Sequence, residues 1–273
     1  MNRWKRNLYY LPLAASVLAM AAGCGRMERR SHGDSAHGPV KATIQRSWPA
    51  AQIKQLVVFE IDGKIDVQAA ATNEITLVAS ARGDFDLKKN EENQGLFETT
   101  IDGDTLRIGR KEKRDRDWHF FFDFDDKRID YVLRIPPSVD LNLKTVNGRI
   151  TTKGGEGETR VATVNGPIEL ETAGSHEVRA TTVNGTVRAT FTQGFSGARF
   201  NTVNGGVEAT LPKSASFSVD LSQVNGDFEA SFPLSIHSNP GSRRVSGEVN
   251  GGEHELKIVT VNGDVELANG TEK

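Results

Sequence analysis

The tripeptide Val-Asn-Gly occurs seven times, with its asparagines at Asn147, Asn165, Asn184, Asn204, Asn225, Asn250 and Asn262. Successive spacings are 18, 19, 20 and 21 residues, then 25 and 12. A turn tripeptide recurring near every 20 residues predicts a solenoid, in which each copy closes one rung and the rungs stack. The irregular spacings predict that the regular array, residues 141–230, is disturbed before its last copy.

Six copies, leaving out Asn250, align into columns. Four residues before asparagine stand Leu143, Val161, Ala180, Phe200, Leu221 and Ile258, and three after it Ile150, Ile168, Val187, Val207, Phe228 and Val265. Both columns are apolar and face the core. The column five after asparagine (Thr152, Leu170, Ala189, Ala209, Ala230, Leu267) continues the two-residue alternation of a strand with one buried face. Between the last two lies a polar, outward column, Thr151, Glu169, Arg188, Glu208, Glu229 and Glu266, in which Glu169, Arg188 and Glu208 stack as alternating charges if the rungs are parallel and in register.

A second corner follows about nine residues after each asparagine, at Gly154-Gly155, Ala173-Gly174-Ser175, Gln193-Gly194 and Pro212-Lys213-Ser214. The expectation is an all-β chain, a parallel β-helix-like solenoid in which Asn147, Asn165, Asn184, Asn204, Asn225 and Asn262 form a turn ladder of buried amide hydrogen bonds. Asn-Gly is also the preferred loop of a type I′ hairpin, so an antiparallel β-meander is the alternative. One rung alone buries too little apolar surface to offset its ordering entropy, so copies must share faces and be capped.

Upstream, residues 56–69, 74–83 and 96–110 alternate and are rich in β-branched side chains, as strands are. Ile61-Asp62-Gly63 and Ile101-Asp102-Gly103 read as worn copies of the repeat. No helix-period segment follows residue 24. Between these strands and the array, Trp118, Phe120, Phe121, Phe122 and Phe124 alternate with charges, and Asp123, Asp125 and Asp126 cluster. One reading is a ligand-gripping segment, with Trp118, Phe120, Phe122, Asp123 and Asp125 contacting a sugar ring or a protein, and oxygen ligands of the kind Ca²⁺ takes. The other is a strand or hairpin whose aromatics cap the solenoid. The glycine that an EF-hand loop needs at its sixth position is missing, so no metal site is assigned.

The N-terminus reads as an address. Arg3, Lys5 and Arg6 precede an apolar run from Leu8 to Ala22, the pattern of a signal peptide over residues 1–23 and too short to span a bilayer comfortably. Ala21-Ala22-Gly23-Cys24 resembles a bacterial lipobox, which makes Cys24 the expected lipidation site, and Gly25 resembles an outer-membrane signal. Residues 24–40 then form a polar tether containing His32 and His37. Residues 41–140 make an N-terminal β part with the aromatic and acidic segment at 111–130, and residues 141–273 the array.

Composition narrows function. With 34 Lys+Arg against 36 Asp+Glu there is no basic excess for a nucleic-acid partner. A single cysteine excludes an intramolecular disulfide framework and multi-cysteine metal sites. His176, His237 and His254 fall at different repeat positions, so local spacing assembles neither a Cys/His nor a Ser/His/Asp arrangement.

Asp62-Gly63-Lys64-Ile65-Asp66-Val67, Tyr131 to Pro137, the repeated Thr-Val-Asn-Gly, Leu211-Pro212 before Phe217-Ser218-Val219, and Gly251-Gly252-Glu253 together resemble the bacterial adhesin-like family DUF4097, over roughly residues 50–268. The resemblance implies a β-solenoid-like envelope protein with no catalytic residues to carry over. The expectation is therefore a non-enzymatic, lipid-anchored envelope protein, an adhesin or a scaffold for a protein or glycan, without a cofactor. The alternatives are a polysaccharide lyase or hydrolase using carboxylates such as Glu208, Glu229 and Glu266, and a periplasmic envelope-stress accessory protein.

Overall fold

Each repeat folds as two short strands meeting at the Asn-Gly corner, because alternation on either side of the corner gives both strands one apolar face. The computed structural model describes residues 40–82, 97–110, 128–239 and 242–270. In chain order the strands before the array are β1 (Val40–Pro49), β2 (Gln55–Phe59), β3 (Ile65–Ala69), β4 (Glu74–Arg82), β5 (Phe97–Asp102), β6 (Thr105–Arg110) and β7 (Arg128–Ile135). The array begins with the pairs β8 (Asp140–Lys144) and β9 (Ile150–Gly155), β10 (Thr159–Ala162) and β11 (Ile168–Thr172), β12 (Val178–Thr181) and β13 (Val187–Phe191), and β14 (Ala198–Asn201) and β15 (Val207–Leu211). It ends with β16 (Phe217–Asn225), β17 (Phe228–Ala230), β18 (Ser235–Asn239), β19 (Ser242–Val249), β20 (His254–Asn262) and β21 (Val265–Asn269).

These strands form two sheets. Sheet A has the order β1-β4-β7-β3-β9-β11-β13-β15-β21-β17, and sheet B the order β18-β19-β16-β20-β14-β12-β10-β8-β2-β6-β5. Within the array every repeat strand pairs with the next in parallel, as Ile150↔Ile168, Ile168↔Val187 and Val187↔Val207 do in sheet A. The solenoid is the fold of the array and the hairpin meander is not, since each Asn-Gly at Asn147, Asn165, Asn184, Asn204, Asn225 and Asn262 leads from one sheet into the other. Antiparallel pairing occurs where β4 pairs with β1 on one side and β7 on the other, where β5 meets β6, and where β18 and β19 cover β16.

The columns are buried as expected, with Leu143, Ala180, Phe200 and Ile258 at 0% exposure. Phe228 and Ala230 are only half-buried, because β17 is an edge strand with no rung stacked beyond it. The second corner near that end is filled by Phe191, Phe195, Phe217 and Phe232, whose rings meet edge to face at 5.0–5.6 Å.

Rung order departs from chain order at both ends. β20 lies between β14 and β16, and β21 between β15 and β17, so the last copy is threaded between its two predecessors. This accounts for the irregular spacings: after Asn225 the chain builds the covering hairpin β18–β19 before returning to fill the open slot. At the other end β7, made after β4, sits between β4 and β3. With β6 beside β2 it forms one more rung.

Of the two worn copies read from the sequence, one is corrected. Asp62-Gly63 is a true corner, bridged to Asn147, but Asp102-Gly103 is the turn of the β5–β6 hairpin, with Gly103 at φ 61°. There the hairpin preference of Asp-Gly prevails because β5 has no corner to make. Asn250, at φ 51°, turns the chain from β19 towards β20 and donates to the Lys213 and Ala215 carbonyls, outside the corner stack.

Candidate functional site

Three columns of side chains and backbone meet along the Asn-Gly corner. On the outside runs the asparagine ladder. Asn147 Nδ2 donates to Asp62 Oδ1 at 2.7 Å, Asn165 to Asn147 at 2.7 Å, Asn184 to Asn165 at 2.7 Å, and Asn204 to Asn184 at 2.9 Å. Asn262 then donates to Asn204 at 3.0 Å and Asn225 to Asn262 at 2.8 Å, which repeats the threaded rung order. All the amides point the same way, and the series ends on an acceptor-only carboxylate where the next rung offers no amide. The ladder side chains are exposed, not buried, because the corner turns them outward. Each bond is therefore worth the modest net of an ordinary hydrogen bond, roughly 0.5–1.5 kcal/mol. Asn184→Ala, which removes two of them, is expected to cost more than Arg188→Ala, which removes one exposed ion pair to Glu208 at 2.7 Å. Urea denaturation of the two variants checks this.

Beneath the ladder, glycine is required by contact. A Cβ built on Gly148, Gly185, Gly205 or Gly263 would lie 1.8–2.1 Å from the carbonyl oxygen of the adjacent corner glycine. Inside it runs a buried hydroxyl column, two residues before each asparagine: Thr145, Thr163, Thr182, Thr202 and Thr260, with Gln223 in the outermost rung. The hydroxyls donate to corner carbonyls, such as Thr182 to Gly166 O at 3.2 Å and Thr163 to Gly148 O at 3.2 Å. The column was legible as the Thr of Thr-Val-Asn-Gly, but periodicity did not mark it as inward because the chain is turning there.

Glu60 holds that column's place in the Asp62 rung, fully buried. Its carboxylate accepts from Arg110 Nε, from the Tyr131 hydroxyl at 2.5 Å and from the Ile61 N–H at 2.8 Å. Arg110 ends β6 and Tyr131 lies in β7, so one carboxylate ties together the two strands that lead into and out of residues 111–127. Burial pushes the Glu60 carboxyl above its ordinary value, and Arg110, Tyr131 and Ile61 offset this only in part. Burial, and next the Glu60 charge, also push Tyr131 up.

Asp130, beside this cluster, accepts from the Lys64 N–H at 2.9 Å, from Arg128 Nε at 2.9 Å and from Arg82 Nε at 3.3 Å. Burial acts to raise its pKa, but these partners together outweigh burial and hold it below the ordinary aspartate value. A lowered folded-state pKa stabilises above the unfolded value and is lost as pH falls through the folded one. Asp130→Asn is thus expected to flatten the acid limb of stability against pH, as read by denaturant titration. Glu60 has the opposite sign, its contribution being fully present below the unfolded pKa and lost as pH rises through the folded one.

The outward faces carry rows of charge. In sheet A the expected alternation of Glu169, Arg188 and Glu208 is present in register, and the threaded rung then sets Glu266 beside Glu208 and Glu229 beside Glu266. Of these three glutamates Glu208 is paired with Arg188, and Glu229 and Glu266 are exposed. In sheet B the register places Arg160, Arg179, Arg199 and Lys257 side by side, and Glu158, Glu177 and Glu255 in the next outward row. This double row was not foreseen, since on the side before asparagine only the apolar column was traced.

Cys24 and the segment residues Trp118, Phe120, Phe122, Asp123 and Asp125 lie outside the described residues. Among the described residues no cluster of three or more His, Cys, Asp or Glu could hold a metal ion, and no helix is long and apolar enough to cross a membrane.

Comparison with curated proteins gives no match. Solved structures that are similar include a candidate cell adhesion protein from Clostridium sporogenes, 8% identical with a TM-score of 0.44, covering 84% of this chain and 99% of that one. Another is a candidate lipid binding protein from Parabacteroides distasonis, 12% identical with a TM-score of 0.33 over 83% of this chain and 97% of that one. A candidate adhesin from Bacteroides fragilis is 9% identical with a TM-score of 0.28, covering 84% and 99%. The model of the Toastrack DUF4097 family matches residues 47–268, which takes in every rung from Asp62 to Asn262 and both sheets, and the chain belongs to that family.

Proposed function

We propose that this protein is a non-enzymatic binding scaffold of the bacterial cell envelope, held to a membrane by a lipid on Cys24 and presenting its faces to an envelope protein or glycan. The observation that carries the reading is the repetition of the same outward groups at every rung. Each ladder amide spends one N–H and one lone pair on its neighbours and keeps one of each for solvent or a ligand. Such an edge suits an extended partner that offers hydrogen bonds at intervals, as a glycan or a peptide does. Beside it, Val224 (47%) and Val261 (36%), in two neighbouring rungs at one end, expose apolar surface.

The anchor follows from the signal-like N-terminus and the position of the only cysteine. Cys24→Ser is expected to move the protein from the membrane pellet to the soluble fraction of lysed cells. Retention of the variant in the pellet would contradict the anchor, and cleavage of a glycan by the purified protein would contradict the non-enzymatic reading.

A further inference from the structure

We infer that the outward face of sheet B is a self-association surface whose partner is a second copy of this chain. Four cations in register on adjacent parallel strands repel one another. Arg160, Arg179, Arg199 and Lys257 are such a row, about 5 Å apart from strand to strand. Each is compensated within the chain, Arg160 by Glu158, Arg179 by Glu177 at 2.7 Å, Arg199 by Glu255 at 3.2 Å and Lys257 by Asp220 at 2.8 Å. These side chains remain 28–53% exposed, so both rows are still open to a facing surface.

The rows are parallel and lie two residues apart along the strands, or about 7 Å. Two copies of this face, related by a two-fold axis parallel to the stacking direction and midway between the rows, set each arginine row against the other copy's glutamate row. Arg160, Arg179 and Lys257 then each gain a second carboxylate, whereas Arg199 faces Gly197, which carries no side chain. A two-fold axis along the strands would oppose like rows, so the pattern selects one orientation. The same operation on sheet A would put Glu266 and Glu229 against Asp264 and Asp227, which excludes that face. In the selected orientation both copies keep their rungs in the same order, which suits two chains anchored in one membrane if the Cys24 reading holds. The association itself does not depend on that reading.

The test uses the full chain in mild detergent, with mass measured by sedimentation at low salt and at about 1 M NaCl, where the screening length falls to about 3 Å. One variant carries Arg160→Glu, Arg179→Glu and Lys257→Glu, and the other Glu158→Arg, Glu177→Arg and Glu255→Lys. The expected result is a low-salt dimer of the native chain that dissociates in high salt, two variants that are each monomeric, and a dimer restored when they are mixed one to one. Restoration on mixing also shows that both variants are folded. A native chain that stays monomeric at low salt, or a dimer that survives in either variant alone, would overturn the proposal.

Discussion

Gly185→Ala is expected to lower stability by about 3–5 kcal/mol, far more than loss of the asparagine beside it. The added Cβ would stand 2.0 Å from Gly166 O and 2.5 Å from Gly166 C, both backbone atoms of the neighbouring rung. Relief requires the two rungs to separate, which stretches the Gly166 N–H to Asn184 O bond of 3.0 Å and the Asn184 N–H to Val164 O bond of 2.8 Å that join them at the corner. Gly155→Ala is the control: a Cβ there meets nothing within 4 Å, and the expected change is about 1 kcal/mol or less. Thermal or urea denaturation of the two variants distinguishes a stack limited by backbone contact from one held chiefly by its ladder.

Glu60→Leu is expected to cost a similar amount, about 3–5 kcal/mol, because it removes a buried carboxylate paired with the Arg110 guanidinium, itself only 5% exposed. Leu fills much of the space but accepts nothing from Arg110, from the Tyr131 hydroxyl or from the Ile61 N–H. Glu60→Leu combined with Arg110→Met removes the buried cation as well, and should recover most of the loss. A double variant as unstable as the single would mean that packing, and not charge, sets the cost. The effect should concentrate on the β6–β7 rung, so hydrogen exchange of the Ile129 and Tyr131 amides, bonded to Asp62 O at 3.0 Å and Lys64 O at 2.8 Å, is the local readout.

Much of this was legible in the repeat. Local alternation sets which residues face inward, so Ile150, Ile168, Val187 and Val207 could be assigned to the core before any pairing was known. The stacking of Asn147 through Asn204 followed from identical corners at a near-constant period. What the sequence did not disclose is non-local. The placement of Asn262 between Asn204 and Asn225 depends on which open edge the returning chain fills, and no local pattern in β20 records that choice. Asp102-Gly103 and Asp62-Gly63 have the same two residues, and only the strand that follows, paired back in β6 or carried into the other sheet in β3, separates hairpin from corner. Glu60 and Arg110 are 50 residues apart in sequence, and no local pattern pairs them. They meet because β2 and β6 pair in parallel and because Glu60 replaces a threonine of the inner column.

The account makes the protein a scaffold displayed for binding, and protease added to intact cells tests that display directly, with permeabilised cells as the control. On the proposed anchored and outward-displayed arrangement, the protein is digested on intact cells. Protection on intact cells, with digestion only after permeabilisation, would place it inside the envelope and contradict surface binding.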